Sequence, residues 1–76
     1  MDIRRVFGSN VRRYRLAAHL SQAALADRMG VDRAHESAIE RGLQNATLIT
    51  VLQISQALGV RPVALLEDNV SKARGS

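Results

Sequence analysis

The 76-residue chain has no cysteine, no tryptophan, a single proline and only two aromatic side chains, Phe7 and Tyr14. The lack of cysteine excludes a disulfide, a thiolate metal site and a cysteine nucleophile. The shortage of aromatics means that a core must be assembled from Leu, Ile, Val and Ala, a composition that favours helices. No apolar run is long enough for a secretion signal or a membrane span, so a soluble cytoplasmic protein is expected. No alternation of apolar and polar residues marks a strand, and there is no internal repeat or low-complexity run. Enzyme chemistry lacks its parts as well. Ser21, Ser37, His19 and His35 have no nucleophile-elbow context, and no His or acid pair has metal-ligand spacing on one face. A chain this short also has little volume for a substrate pocket. No catalysis, no metal and no cofactor are therefore expected.

Lysine is scarce too. Eleven basic residues against seven acidic ones leave a net charge of +4, and ten of the eleven are arginine. Arginine suits bidentate contact with phosphate and guanine, so nucleic acid is the natural polyanionic partner, although charge alone would suit a membrane surface equally. The length permits one domain with a small core, and domains of this size often gain stability by dimerising. The expected division is one helical domain over residues 1–68 and a disordered tail over 69–76, which has only Val70 and Ala73 as apolar residues and no periodicity.

Ile3, Phe7, Val11, Tyr14 and Ala18 recur every three or four residues and predict a first helix. Arg4, Arg5, Arg12 and Arg13 fall off that stripe and read either as a solvated face or as phosphate contacts. Between Ser21 and Gly42 the pattern is two short helices and a tight turn. Ser21 caps the first, Ala24, Leu25 and Met29 are its apolar positions, and Gly30 supplies the left-handed residue that ends it. Asp32 caps the second. This is the outline of a helix-turn-helix, whose second helix enters the DNA major groove. After a loop at 43–46, Thr47 caps a fourth helix with Leu48, Val51, Leu52, Ser55 and Leu58 along one stripe, and Gly59 ends it. Pro62 begins a short fifth helix with Val63, Leu65 and Leu66. The predicted fold is all-α.

The opening Leu20-Ser21-Gln22, the closing Ile39-Glu40-Arg41-Gly42, and then Asn45, Leu48 and Ala57-Leu58-Gly59-Val60 carry a resemblance to the Cro-type phage-repressor family of DNA-binding domains, over roughly residues 7–67. The resemblance implies a five-helix lambda-repressor-like domain and a sequence-specific transcriptional regulator. It implies that Arg15 pairs with Glu40, locking the first helix to the recognition helix; such a pair orients more than it stabilises. It also implies that Gln22 touches a DNA phosphate. Arg41, Gln44 and Asn45 resemble the family's phosphate-contacting loop, which sets register without carrying sequence information. Two positions depart from the pattern: Ala46 stands where the family usually has proline, and Glu36 where it has an aliphatic residue.

Arg33, Ala34, Ser37 and Ala38 are the candidate base readers, being near the start or on the outward face of the recognition helix. Arg33 is placed to reach guanine O6 and N7 or a phosphate. Ala34 and Ala38 suit a thymine methyl group or close approach to DNA. Asp32 is read as a cap, and His35 as either a phosphate contact or a surface side chain. A stand-alone domain of this length resembles restriction-modification controller proteins and compact phage-type repressors, which implies a homodimer on a palindromic operator with half-sites roughly 34 Å apart. The dimer contact is expected on the fourth and fifth helices, with Ile49, Ile54, Val63 and Leu66 as contributors. The alternative is an antitoxin-like or partner-docking protein on the same fold, which salt-dependent duplex binding would separate. Glu36, three residues before Ile39, is expected on the core face. A carboxylate there has three escapes: reaching the hydrated rim, taking a proton, or pairing with Arg33.

Overall fold

Asp2 lies in extended backbone and its carboxylate accepts a hydrogen bond from the Arg4 amide at 3.0 Å, which caps α1 (Ile3–Ala17). The computed structural model describes residues 2–68, so the tail expected at 69–76 lies outside the described residues. Ser21 caps α2 (Gln22–Met29) by accepting from the Ala24 amide at 3.0 Å. Gly30 closes α2 at φ 75°, a left-handed conformation that a side chain would strain. Asp32 then caps α3 (Arg33–Glu40), accepting from the His35 amide at 2.8 Å. Thr47 does the same for α4 (Leu48–Leu58). All three caps expected between Ser21 and Thr47 are made.

The last described element differs from expectation. Pro62–Leu65 forms one 3₁₀ turn instead of a fifth α-helix, with bonds from the Ala64 amide to the Arg61 carbonyl and from the Leu66 amide to the Val63 carbonyl. Leu66 lies beyond it. The Asn10 side chain explains where the turn stops. Its amide donates to the carbonyls of Leu65 at 2.9 Å and Glu67 at 2.8 Å, taking acceptors that a continuing helix would have used. The fold is all-α, with four α-helices and this turn among the described residues.

Phe7, Val11, Leu25, Met29, Ile39, Ile54 and Leu65 form the core, so every element contributes at least one side chain. It is almost wholly aliphatic, as the composition requires. The ends of the predicted α1 stripe, Ile3 and Ala18, are exposed. The stripe predicted for α4 is turned. Ile54 and Ser55 are buried and Val51 and Leu58 half-buried, whereas Leu48 is 89% exposed and Leu52 faces outward as well. Helix α4 carries apolar residues all round, so periodicity alone could not select the side that meets α1 and α2. Ile54 is consequently a core residue at 0% exposure and is unavailable for the expected dimer contact. At five residues from Ile49 it sits some 140° away around the helix.

Helices α1 and α3 cross at Gly8. A Cβ at this position would lie 2.3 Å from the Ile39 carbonyl oxygen and 2.7 Å from that of Glu40. Only a residue without a side chain lets the two backbones meet this closely. The crossing holds the C-terminal end of α3 against α1, while Asp32, Arg33 and Ala34 at the other end are exposed.

Candidate nucleic-acid interface

The N-terminal end of α3 is where the sequence places its readers. Arg33 and Ala34 are exposed there, next to the exposed Asp32 cap, while Ser37 and Ala38 one turn later are half-buried. Arg33 and Ala34 are thus free to enter a groove, and Ser37 and Ala38 sit where the helix begins to turn back toward the protein. The alanine at 34 keeps the helix surface low beside the long Arg33 side chain.

Beneath this surface lies a buried polar cluster. Arg15 from α1 donates from Nε to Glu40 Oε2 at 2.6 Å and from Nη2 to Glu40 Oε1 at 3.1 Å. The same guanidinium reaches the Leu20 carbonyl through Nη1 at 2.8 Å, so one side chain ties α1, the start of the helix-turn-helix and α3 together. Gln22, the first residue of α2, donates from Nε2 to Glu40 Oε1 at 3.3 Å. The Arg15 guanidinium and these hydrogen bonds hold the Glu40 carboxyl below the usual range although burial acts to raise it. The expected Arg15–Glu40 pair is therefore present and two-pronged, the geometry that fixes a direction as well as a distance.

Glu36 completes the cluster. It has no solvent exposure, and neither carboxylate oxygen has a hydrogen-bond partner. Burial is the main cause that pushes its pKa up to about 8, with the Glu40 carboxylate adding to the effect and the Arg15 and Arg33 charges opposing it. Of the three escapes open to a buried carboxylate here, protonation is the one that the geometry supports. Two carboxyl groups one helical turn apart can share a hydrogen bond only if one carries a proton, and Glu40 is already committed to Arg15.

The remaining positions expected at phosphate form a rim. Arg41, Gln44 and Asn45 are all exposed after α3. Arg41 Nε turns back onto the Ser37 carbonyl at 3.4 Å. Gln44 and Asn45 border a shallow groove together with Ile3, Arg4 and Phe7 of α1. Arg5 lies over Gly42, its Cγ 3.1 Å from where a Cβ there would stand. Of the four arginines left open between solvent and phosphate, Arg4 and Arg5 thus adjoin the candidate loop, while Arg13 stacks on the Tyr14 ring at 4.4 Å. Two contributors escaped the sequence reading. Gly8 and Asn10 hold the scaffold through contacts with residues far along the chain, and no local pattern signals such partners.

Among the described residues no group of acids, histidines or cysteines could hold a metal ion, and no helix is long and apolar enough to cross a membrane. Comparison with known proteins agrees with this architecture. The helix-turn-helix family matches residues 11–65. The control protein C.BamHI of Bacillus amyloliquefaciens is 43% identical over 67 residues, 87% of this chain and 83% of the relative. An uncharacterised helix-turn-helix transcriptional regulator of Sinorhizobium fredii is 41% identical over 66 residues, covering 87% of this chain and 86% of its own length. The crystal structure of the restriction-modification controller protein C.AhdI from Aeromonas hydrophila superimposes with a TM-score of 0.78 at 37% identity, over 82% of this chain and 94% of that one. With a capped α2–turn–α3 unit inside the matched span, the chain belongs to the helix-turn-helix family of DNA-binding transcriptional regulators.

Proposed function

We propose that the protein binds duplex DNA sequence-specifically as a cytoplasmic homodimer on a palindromic or near-palindromic operator, in the manner of a restriction-modification controller or small repressor. The observation that carries this reading is the capped N-terminal end of α3, with Arg33 and Ala34 exposed on it and the rest of the helix held by Gly8 and the Arg15–Glu40 pair. In this reading Arg33, Ala34, Ser37 and Ala38 read base edges. Gln22, Arg41, Gln44 and Asn45 meet phosphates, with Arg4 and Arg5 adding charge beside the loop. Controller proteins among the relatives support regulation as the role. The protein performs no catalysis of its own.

The dimer contact uses the outer face of α4 and the 3₁₀ turn. Leu48, Ile49, Leu52, Val63 and Leu66 are all exposed there, a concentration of apolar surface that a small monomer rarely leaves in water. Pairing this face with itself gives a two-fold dimer that presents two copies of α3 together.

Selection of bound duplexes from a random pool tests the proposal directly. A recovered sequence with two inverted half-sites, bound with an affinity that falls as salt rises, is the expected result. Recovery of no enriched sequence, or binding indifferent to salt, would favour the partner-docking alternative.

A further inference from the structure

Glu36 is the one fully buried ionisable side chain without a hydrogen-bond partner among the described residues. It lies in the first turn of α3, one turn before Glu40. The charged groups that act on it are Glu40 and Arg33 from its own helix and Arg15 from α1, while α2 contributes the Gln22 amide that bonds Glu40. With a proton on Glu36, the buried trio of Arg15, Glu40 and Glu36 is neutral, and Glu36 can donate to Glu40. Without it, the trio carries a net negative charge that water does not reach, a state costly enough to draw in any donor nearby. The nearby donor not already committed to the scaffold is Arg33, exposed three residues earlier on the same helix. It belongs to the surface proposed to face DNA.

We propose that Glu36 is a positioning residue whose proton is linked to operator binding: neutral, it donates to Glu40 and leaves Arg33 to the duplex; ionised, it draws that donor inward and loosens the protein's hold on DNA. The inference rests on the DNA-binding reading above. The burial that pushes the Glu36 pKa up to about 8 puts this exchange just above neutral pH, beyond the ordinary histidine range. If the DNA-bound form requires the proton, reciprocity of linkage makes DNA raise the affinity for that proton, so each half-site takes up protons on binding near pH 8.

The test uses the full chain, the operator duplex recovered by selection, and fluorescence anisotropy at fixed salt from pH 7 to pH 9. The parent is expected to weaken by about tenfold per half-site across that range, as one linked group requires. Glu36→Gln, which keeps a donor toward Glu40 but cannot ionise, is expected to match the parent at pH 7 and to hold that affinity at pH 9. Glu36→Ile, with no titrating group, is the second variant and should also lose the pH slope. Calorimetry at pH 8 in buffers of different ionisation enthalpy should show proton uptake for the parent and less for both variants. Equal slopes and equal proton uptake in parent and variants would overturn the inference while leaving the DNA-binding reading intact. Absence of salt-dependent duplex binding in all three proteins at every pH would overturn both.

Discussion

At the scale of single residues, the stability of this domain is set against itself at one position. Glu36 fills core volume with a carboxyl group that has no hydrogen-bond partner. An aliphatic side chain of similar size would fill the same space without a polar group, so Glu36→Ile is expected to raise stability at neutral pH by about 1 to 3 kcal/mol in urea melts. The pH dependence follows in sign. The folded state holds a proton up to about pH 8 that the unfolded chain releases around its ordinary value of 4.5, so stability falls as pH rises through that window and levels off above it. Between pH 5 and pH 7 alone the loss is on the order of 3 kcal/mol for a shift of this size. Glu40 works in the opposite direction. Its depressed pKa gives stability that is present above the glutamate range and is lost as pH falls through its lower folded value. For these two groups stability is therefore greatest just below the ordinary glutamate value of 4.5, and Glu36→Gln should flatten the decline toward pH 8 while leaving the acid limb in place.

At the scale of elements, α3 is held at one end and free at the other, and substitutions at its two ends should separate accordingly. Gly8→Ala places a Cβ against the Ile39 and Glu40 carbonyls, which are backbone and cannot rotate away. The crossing of α1 over α3 must widen, at a net cost of about 1 to 3 kcal/mol in thermal or urea melts, despite the better helix propensity of alanine. At the free end, Arg33→Ala is expected to weaken the selected site by about 1 to 3 kcal/mol per half-site and to relax preference at one base pair. Gln22→Ala and Asn45→Ala should instead weaken selected and random duplexes alike. Competition titrations with both duplexes measure this split, and the same change in specificity ratio for all three substitutions would dissolve the division into readers and positioners.

For the molecule as a whole, the unpaired apolar face of α4 and the 3₁₀ turn should make association measurable. Sedimentation is expected to give a dimer at micromolar concentration, and Ile49→Glu or Leu48→Glu, at 70% and 89% exposure, should shift it to monomer while leaving the fold intact. Ile54→Glu should differ, because Ile54 is fully buried and the charge would unfold the domain before it could report on association. A monomer of the parent at high micromolar concentration would contradict the dimer.

Helix positions, their caps and the turn between α2 and α3 were legible in the sequence because Ser21, Asp32, Thr47, Gly30 and Gly59 act on backbone groups within a few residues of themselves. The core-facing place of Glu36 was legible for the same reason, since its spacing from Ile39 is a local fact about one helix. Tertiary structure decided what depends on partners distant in the chain. It turned α4 so that Ile54 faces inward and Leu48 outward, because a helix apolar on every side is oriented only by what packs against it. It ended the last described element as a 3₁₀ turn, because Asn10 of α1 takes the carbonyls there. It also left the Glu36 carboxyl without a donor, since hydrogen-bond satisfaction depends on the surroundings that folding assembles, and spacing along one helix does not encode them.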